Sequence, residues 1–518
     1  MPEPGENIVL GPWIKGVDYS RPASEQDGST LYAAQNIRIG NAGQANKRGG
    51  SAPINAAALT GSSSSVTALG RQKFSASSEK NFAIVGAKFW ENPENASPSD
   101  RTSTNTITAG DDNTWETTNA GGTLIGHDGV AGDTLLKWAA SGNISALDVD
   151  ARFTTAKHVE WWDRRAWWSY LSSGKNRLWW SDQDDVETYG SLNFFTFDED
   201  VTGHKRRING LAVHTQNALY SIVPTFDTTT PYRRAYIELT HDGMGGSLSG
   251  RCIANIPDIG QVFIRADGIF ALTDADQIVK ISDKLDGSRY WNNINTSRLP
   301  YAFCQTYPAL SECHFWLPYG TTQTAMNHVM ILNWKLSRIA GEYVWYGPDT
   351  ALSRNCGGLI SNVPHWGGFD GNVYQGNTGD TDDIGATNQD IDGWFQTSTP
   401  PPYGGKVDCR WKSCRVFFQN LGNWDIEVQE DSPDIAATSH TINMGTVGDG
   451  IETAFAIEVS PISGDADQGY ADRDLSGASP FKQFRVRNGN SGEPFSIRRI
   501  IPTFAPVGAV TRDVSGVH

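Results

Sequence analysis

Short apolar runs, each ended by a polar turn, dominate the middle of the chain. Three of them lie at residues 166–170, 177–181 and 219–223. They are rich in aromatic and β-branched side chains and are too short for helices between such turns, so they predict strands joined by hairpins. Asp267-Gly268, between two further apolar runs, is a strong hairpin signal. The pattern therefore predicts an all-β fold.

Pairs of strands recur along the chain in units of roughly 40–60 residues, which is the size of a propeller blade. We count about five or six such units, without a sharp repeat signature. Residues 91–122 are dominated by Ser, Thr, Asn, Asp and Gly. This composition is typical of loops, and we expect an insertion near 91–150 within a β-propeller that covers residues 53–396.

The two ends of the chain differ from this middle part. Residues 1–52 are predicted to be an extended N-terminal arm with a first strand, in which Ile37 and Ile39 face inward while Asn36 and Arg38 face outward. Residues 398–406 form a Pro/Gly linker whose three consecutive prolines cannot lie in a central strand. The strands beyond it, with their long connections, predict a C-terminal β-sandwich platform over residues 397–518.

Tryptophans are unusually frequent, with 18 copies, and six of them form adjacent pairs near the middle of the chain. Adjacent residues on a strand point to opposite faces of the sheet. One ring of each pair is therefore predicted to pack in a blade core and the other to form an inter-blade or subunit contact. The candidate interface residues are Trp161, Trp167, Trp179 and Trp180.

Charge, cysteine content and the lack of long apolar runs argue against several classes of protein. The formal net charge of −16 argues against an outer surface that grips nucleic acid, whereas a wall of like charge would let DNA slide past without adsorbing. The six cysteines contain no CxxC pair, so free, buried thiols are expected. No apolar run near 18 residues and no apolar N-terminal segment occurs, which predicts no membrane span, no secretory signal and a cytosolic site of synthesis.

Acidic loops are the remaining candidates for chemistry. Carboxylates this dense could bind a hard cation, but the spacing of a calcium loop is absent, and the pattern favours acidic β-turns. Glycoside hydrolysis needs two carboxylates at a defined separation, which the sequence does not locate. We therefore predict no catalytic residue, no metal and no cofactor, and hence no enzyme. The acidic groups are Asp182, Asp184, Asp185 and Glu187; Asp380, Asp382 and Asp383; and Asp465, Asp467, Asp472 and Asp474.

Several short motifs resemble one known family. Asn36-Ile37-Arg38 followed by Lys47-Arg48-Gly49-Gly50 is similar to the opening of tailed-phage tail hub or nozzle proteins. In that family a β-propeller with an added β-sandwich platform closes the portal's exit. Further runs resemble its blades and its last sandwich strands, namely residues 177–182, 208–213, 219–222, 266–270, 278–282, 483–487 and 495–500.

The resemblance implies a structural virion protein. It would assemble as a ring of six copies below a twelve-subunit portal and its adaptors, in a short-tailed phage. The ring would close and extend the DNA channel for genome retention and ejection, contact tail fibre or needle proteins, and let viral DNA pass without specific binding. Two alternatives stay open: a carbohydrate-binding or glycan-cleaving propeller that acts as a receptor-binding tail component, and a scaffold propeller in a cell.

Overall fold

The computed structural model of this chain describes residues 6–507. Gaps lie at 61–63, 140–141, 150–152, 154, 226, 228–229, 238–244, 351, 385–386, 406, 420, 433–434, 445–467 and 476. Strands dominate the described residues, so the predicted all-β fold is confirmed. The one α-helix in these ranges is α1 (Trp334–Ala340), and 3-10 turns lie at Ala23–Glu25, Gly250–Cys252, Asp283–Leu285, Trp291–Asn293, Thr296–Tyr301, Pro308–Leu310 and Pro402–Gly405. None of the described helices is long and apolar enough to cross a membrane.

Five short strands precede the propeller: β1 (Glu6–Asn7), β2 (Leu31–Gln35), β3 (Ile37–Ile39), β4 (Ala45–Lys47) and β5 (Ser51–Pro53). Six antiparallel sheets of four strands then follow in chain order. Blade 1 is β6 (Val66–Ser75), β7 (Ser78–Val85), β8 (Lys88–Glu91) and β9 (Ser99–Asp100); blade 2 is β10 (Glu116–Ala120), β11 (Thr123–His127), β12 (Leu136–Ala139) and β13 (Ser145–Ala146); blade 3 is β14 (His158–Trp162), β15 (Arg165–Leu171), β16 (Gly174–Trp180) and β17 (Phe194–Thr196).

The second half of the propeller has the same plan. Blade 4 is β18 (Val201–Arg207), β19 (Gly210–Thr215), β20 (Leu219–Pro224) and β21 (Tyr232–Tyr236); blade 5 is β22 (Ile253–Ile256), β23 (Gly260–Arg265), β24 (Gly268–Leu272) and β25 (Ile278–Lys280); blade 6 is β26 (Phe303–Tyr307), β27 (Glu312–Leu317), β28 (His328–Asn333) and β29 (Trp345–Asp349). Blade 7 is completed from the other end of the chain: β30 (Cys356–Ile360), β31 (Val363–Gly367) and β32 (Val373–Gly376) are joined by β5.

The seven blades form a closed ring. The first strand of each blade contacts the first strand of the next, and β30 of blade 7 lies against β6 of blade 1. Apolar residues fill the space between successive blades: Phe89 and Trp138, for example, share the cluster between blades 1 and 2. Alternating side chains give every blade two apolar faces, so each face is buried only when a neighbour covers it.

Two expectations about this region are corrected. Residues 116–146, within the expected insertion near 91–150, form blade 2, with Leu124, Leu136 and Trp138 buried. Polar turns around these strands gave the segment its loop-like composition. The described residues therefore contain seven blades, rather than about five or six, because blade 2 lies in the segment that was expected to be an insertion and was not counted.

Two further sheets pack together beside the propeller. In the first, the order is β3-β4-β42-β36-β39, with β1 on β42 and β40 on β36; in the second, it is β2-β35-β41-β37-β38. Both sheets contribute to one apolar core, which includes Ile37, Trp411, Val428 and Phe484. The new strands are β35 (Gly393–Thr397), β36 (Cys409–Gln419), β37 (Asp425–Ser432), β38 (Ile435–Asn443), β39 (Gln468–Asp474), β40 (Ala478–Ser479), β41 (Gln483–Asn488) and β42 (Ser496–Pro506), while a hairpin of β33 (Thr381–Ile384) and β34 (Thr387–Asp390) joins blade 7.

The structure also changes the expected domain boundaries. The N-terminal segment is not a separate arm, because β1 to β4 are strands of the two sandwich sheets and β5 closes the propeller. β35 begins at Gly393, before the expected boundary at residue 397, and pairs with β2 and β41 in the sandwich. The sandwich is therefore built from both ends of the chain. A strand expected at residues 454–459 lies outside the described residues.

Candidate functional site

The junction between propeller and sandwich contains buried ion pairs. Arg38, on β3, donates two hydrogen bonds to Asp349, at the end of blade 6, with distances of 2.6 and 2.5 Å from its Nη atoms to the carboxylate oxygens. Glu312 of β27 lies 4.0 Å from the same guanidinium and accepts a short hydrogen bond from Tyr346. Arg38 was expected to face solvent. Its side chain leaves the sandwich core as the alternation predicts, but blade 6 covers it.

Arg48 extends this network into blade 7. It forms a two-pronged pair with Asp382 of β33 and lies 3.8 Å from Asp349. Its Nε donates to the side-chain oxygen of Asn36, which also accepts a 2.9 Å bond from the backbone N–H of Thr350. Asn36 is thus buried rather than outward-facing. The residues that carry the family resemblance, Asn36, Arg38 and Arg48, therefore connect the sandwich to two blades.

The electrostatics of this network favour the charged forms. Burial alone would raise the pKa of the Asp349 carboxyl, but the charge and hydrogen bonds of Arg38, with Arg48 nearby, outweigh it and lower that pKa. Burial likewise opposes ionisation of Glu312, yet hydrogen bonding from His314 and the charge of Arg38 leave its pKa lowered. Opposite charges within about 4–6 Å stabilise each other strongly where water is excluded.

The centre of the propeller holds a cavity of about 460 Å³, lined by residues at the inner edges of all seven blades. Glu116 of blade 2 reaches into it, and its Oε1 lies 2.9 Å from Nδ1 of His158 in blade 3. This carboxylate approaches Gly250 so closely that a Cβ there would lie 2.4 Å from Oε1. Lys205 lies 3.6 Å from Glu160. Arg251 donates to the backbone carbonyls of Tyr301 and Asn355.

This arrangement does not suit acid catalysis by Glu116. Burial would raise the pKa of its carboxyl, but the His158 contact and the charge of Lys205 outweigh burial and lower it. A general acid for glycoside hydrolysis needs a raised pKa so that it carries a proton near neutral pH. Among the described residues, no group of three or more His, Cys, Asp or Glu side chains is arranged to hold a metal ion.

The predicted interface tryptophans lie in blade 3. Trp167 is fully buried and packs with Trp180 against blade 4, while Trp179 packs against blade 2. The pairing of β15 with β16 brings Trp167 opposite Trp180 and Trp168 opposite Trp179. These rings form inter-blade contacts within one chain, which leaves almost none of their surface for a second subunit. Only Trp161, which is half-buried, keeps part of its ring open.

The acidic loops are engaged in local contacts. Asp185 accepts from the backbone N–H of Glu187, Asp184 pairs with Arg164, and Glu187 pairs with Lys137 at 2.7 Å. Asp382 is buried in the junction, Asp472 pairs with Arg415, and Asp465 and Asp467 lie outside the described residues. All six cysteines are free and buried, as expected.

Sequence reasoning missed the acidic partners of the junction. Asp349 and Glu312 lie more than 250 positions from Arg38, and neither stands in a recognisable motif. Glu116 was also missed, since it falls in the segment interpreted as an insertion. The single available signal was the pair of arginines in the motif, because buried arginines require carboxylates nearby.

Comparisons with known proteins add little. No family model matches the sequence, and no curated protein matches it. Similar solved structures include a glycoside hydrolase family 43 arabinoxylan arabinofuranohydrolase from Bacillus subtilis (11% identity, 86% of this chain and 96% of that chain covered, TM-score 0.26). Others are an exo-beta-1,3-galactanase from Phanerochaete chrysosporium (8%, 85% and 99%, TM-score 0.24) and BBS1N in complex with ARL6DN (8%, 52% and 76%, TM-score 0.26). At these TM-scores the similarity carries no argument about function.

Proposed function

We propose that this chain is a structural, non-enzymatic virion protein: a tail hub or nozzle subunit of a tailed phage that assembles as a ring, with six copies expected, below the portal–adaptor complex. The ring closes and extends the DNA channel for genome retention and ejection. The proposal rests on the family resemblance together with what the resembling residues do in the fold.

The observation that most supports the proposal is the junction between the sandwich and the propeller. Asn36, Arg38 and Arg48 join the sandwich to blades 6 and 7 through two-pronged ion pairs at Asp349 and Asp382. A subunit that holds back a packed genome must transmit force between its domains without bending. Buried, geometrically fixed ion pairs, reinforced by strands shared between both ends of the chain, provide such stiffness. This gives the motif a mechanical reason to exist.

The charge of the chain is compatible with a channel for DNA. A ring of such subunits, each with a formal charge of −16, repels phosphate unless cations screen it, so DNA would pass without specific binding. Portal–adaptor proteins and tail fibre or needle proteins are the partners that the proposal requires.

Contacts between subunits must use surface other than the buried tryptophans. Leu192, in the turn before β17, and Ile208, between β18 and β19, are 82% and 80% exposed on neighbouring blades. Large apolar side chains with this exposure are suited to burial against a partner. We assign them to the subunit or adaptor contact in this proposal.

The test is negative-stain microscopy of the purified chain mixed with portal–adaptor complexes from short-tailed phages. The expected result is added density at the portal exit, which the double variant Leu192→Ser/Ile208→Ser weakens. Ile339→Ser on α1 is the matched control, since Ile339 is 57% exposed but lies on blade 6. Portal complexes that remain bare with every chain would contradict the proposal. Saturable binding of host glycan to the chain alone, without ring formation, would favour the carbohydrate-binding alternative.

A further inference from the structure

A second cavity, of about 470 Å³, lies where the sandwich meets the propeller. The sandwich side contributes β2 and Trp394 of β35, and the propeller side contributes residues of blade 6 and of the loop that precedes it. Its aromatic and imidazole side chains are Tyr19, Tyr32, Tyr290, Tyr319, His328 and Trp394. Tyr32, Tyr319, His328 and Trp394 are half-buried, so the cavity opens to solvent between them.

Two polar atoms of residues that line this cavity have no hydrogen-bond partner among the described residues. The hydroxyl of Tyr290, whose side chain is 2% exposed, makes no hydrogen bond, and neither does Nδ1 of His328. A buried polar atom without a hydrogen-bond partner is costly. At a cavity wall, a bound ligand can supply the missing hydrogen bond. The neighbouring hydroxyl of Tyr19 differs, since it donates to the backbone carbonyl of Ala34 at 3.0 Å.

The rings around these atoms are fixed by mutual packing. Tyr319 and His328 stack with centroids 4.1 Å apart, and Tyr290 packs on both Tyr19 and Tyr319. Burial lowers the pKa of His328 to about 4, so the imidazole is neutral at physiological pH. The cavity therefore offers rigid apolar ring faces and two neutral hydrogen-bonding atoms.

The charges at the wall disfavour cations as ligands. Among the described residues no carboxylate lines the cavity, and Arg289 places a positive charge beside Tyr32, with its guanidinium 3.9 Å from the ring centroid. That guanidinium is also held by the backbone carbonyls of Asp18, Tyr19 and Tyr32, which orient it toward the chain rather than toward a ligand. An apolar wall of this kind disfavours a strongly solvated anion as well.

We propose that this cavity binds a neutral pyranose sugar, one or two units in size. The apolar face of a pyranose packs on aromatic rings, while its hydroxyls both donate and accept, which satisfies the Tyr290 hydroxyl and the neutral Nδ1 of His328 whatever their proton positions. The site belongs to the junction of a single chain and is independent of the ring proposed above.

The test is saturation-transfer NMR on the full chain with methyl glucoside, methyl galactoside and N-acetylglucosamine, and with adenosine and choline as probes of other chemistry. The expected result is saturable binding of at least one sugar, weakened about tenfold or more by Tyr290→Phe. Since that hydroxyl has no partner in the free protein, the variant should fold with an unchanged or higher Tm. Tyr307→Phe is the matched control, because its hydroxyl is equally buried but lies outside the cavity.

A second variant, His328→Phe, keeps a flat ring against Tyr319 and removes the nitrogen. It should also weaken the sugar while Tyr307→Phe leaves affinity unchanged. The absence of saturable sugar binding, equal binding by Tyr290→Phe, or preference for adenosine or choline would each overturn the proposal.

Discussion

Arg38 and Arg48 carry positive charge into a region where water is largely excluded. Each is tolerated because two carboxylate oxygens accept hydrogen bonds from its guanidinium. A buried pair of this kind adds little relative to an apolar replacement, but loss of one partner leaves the other charge stranded. Removing one partner of such a pair should therefore cost more stability than replacing both partners, and single and double variants can test this.

Arg38→Met keeps much of the side-chain volume but removes the two-pronged partner of Asp349, which leaves that carboxylate with only the more distant Arg48. We expect a loss of about 3–5 kcal/mol in the free energy of unfolding, measured by chemical denaturation. The double variant Arg38→Met/Asp349→Leu should recover most of this loss. Arg415→Met is the control, since the Arg415–Asp472 pair is about half exposed and should cost no more than about 1 kcal/mol. Equal effects of Arg38→Met and Arg415→Met would contradict the account.

The alternation of residues 36–39 shows what a local pattern can and cannot predict. Burial of Ile37 and Ile39 was predictable from the period of the strand and is confirmed. The environment of Asn36 and Arg38 was not, because "outward" means solvent only if no other part of the chain lies there. For the paired tryptophans the pattern left an inter-blade contact and a subunit contact open, and in the fold Trp167, Trp179 and Trp180 contact neighbouring blades.

At the scale of elements, β5 is the strand that closes the ring. It pairs with β32, more than 320 positions along the chain, and lies parallel to β33 at Ser51 and Asp382. Hairpins such as those at Gly210 and Gly268 could be predicted from adjacent residues. Pairings between strands that lie hundreds of residues apart could not be predicted, since no turn signal specifies them. This is why the N-terminal segment was interpreted as an arm.

Gly50 allows β5 to enter this position. A Cβ at Gly50 would lie 1.9 Å from the backbone carbonyl oxygen of Thr381, which cannot withdraw as a flexible side chain could. Gly50→Ala should therefore lower the free energy of unfolding by about 1–3 kcal/mol in thermal or denaturant unfolding. Gly489→Ala is the control, because its nearest contact would be an ordinary 3.4 Å to a side-chain oxygen of Asp392. If Gly50→Ala left the free energy of unfolding unchanged, the backbone of β5 would not lie as close to Thr381 as the structure shows.

At the scale of the whole molecule, buried histidines make stability depend on pH. Burial lowers the pKa of His204 to about 3 and that of His214 to about 4, as it does for His328. In the unfolded chain these groups titrate near 6.5, so the unfolded state binds more protons below that pH. Their contribution to the free energy of unfolding is complete above about pH 6.5 and is lost as the pH falls toward the pKa values that these histidines have in the folded state. Burial raises the pKa of Asp128, so the folded state binds a proton at this carboxyl more readily than the unfolded state does. This single group therefore opposes the effect of the histidines.

We therefore expect the Tm to fall steadily between pH 7 and pH 5 in scanning calorimetry. His214→Asn keeps an acceptor for the backbone N–H of Ser247 and removes one titrating group, so its Tm should change less over this range. A Tm that stays constant or rises toward pH 5 would show that these imidazoles are protonated in the folded state.

Mass photometry of the purified chain, alone and with a portal–adaptor complex, would show whether the chain forms a ring. A ring-forming subunit should give particles near six times the 56.5 kDa of one chain, alone or on the portal, with a central pore in images of the same sample. A species that stays at the mass of one chain in both samples would contradict ring formation.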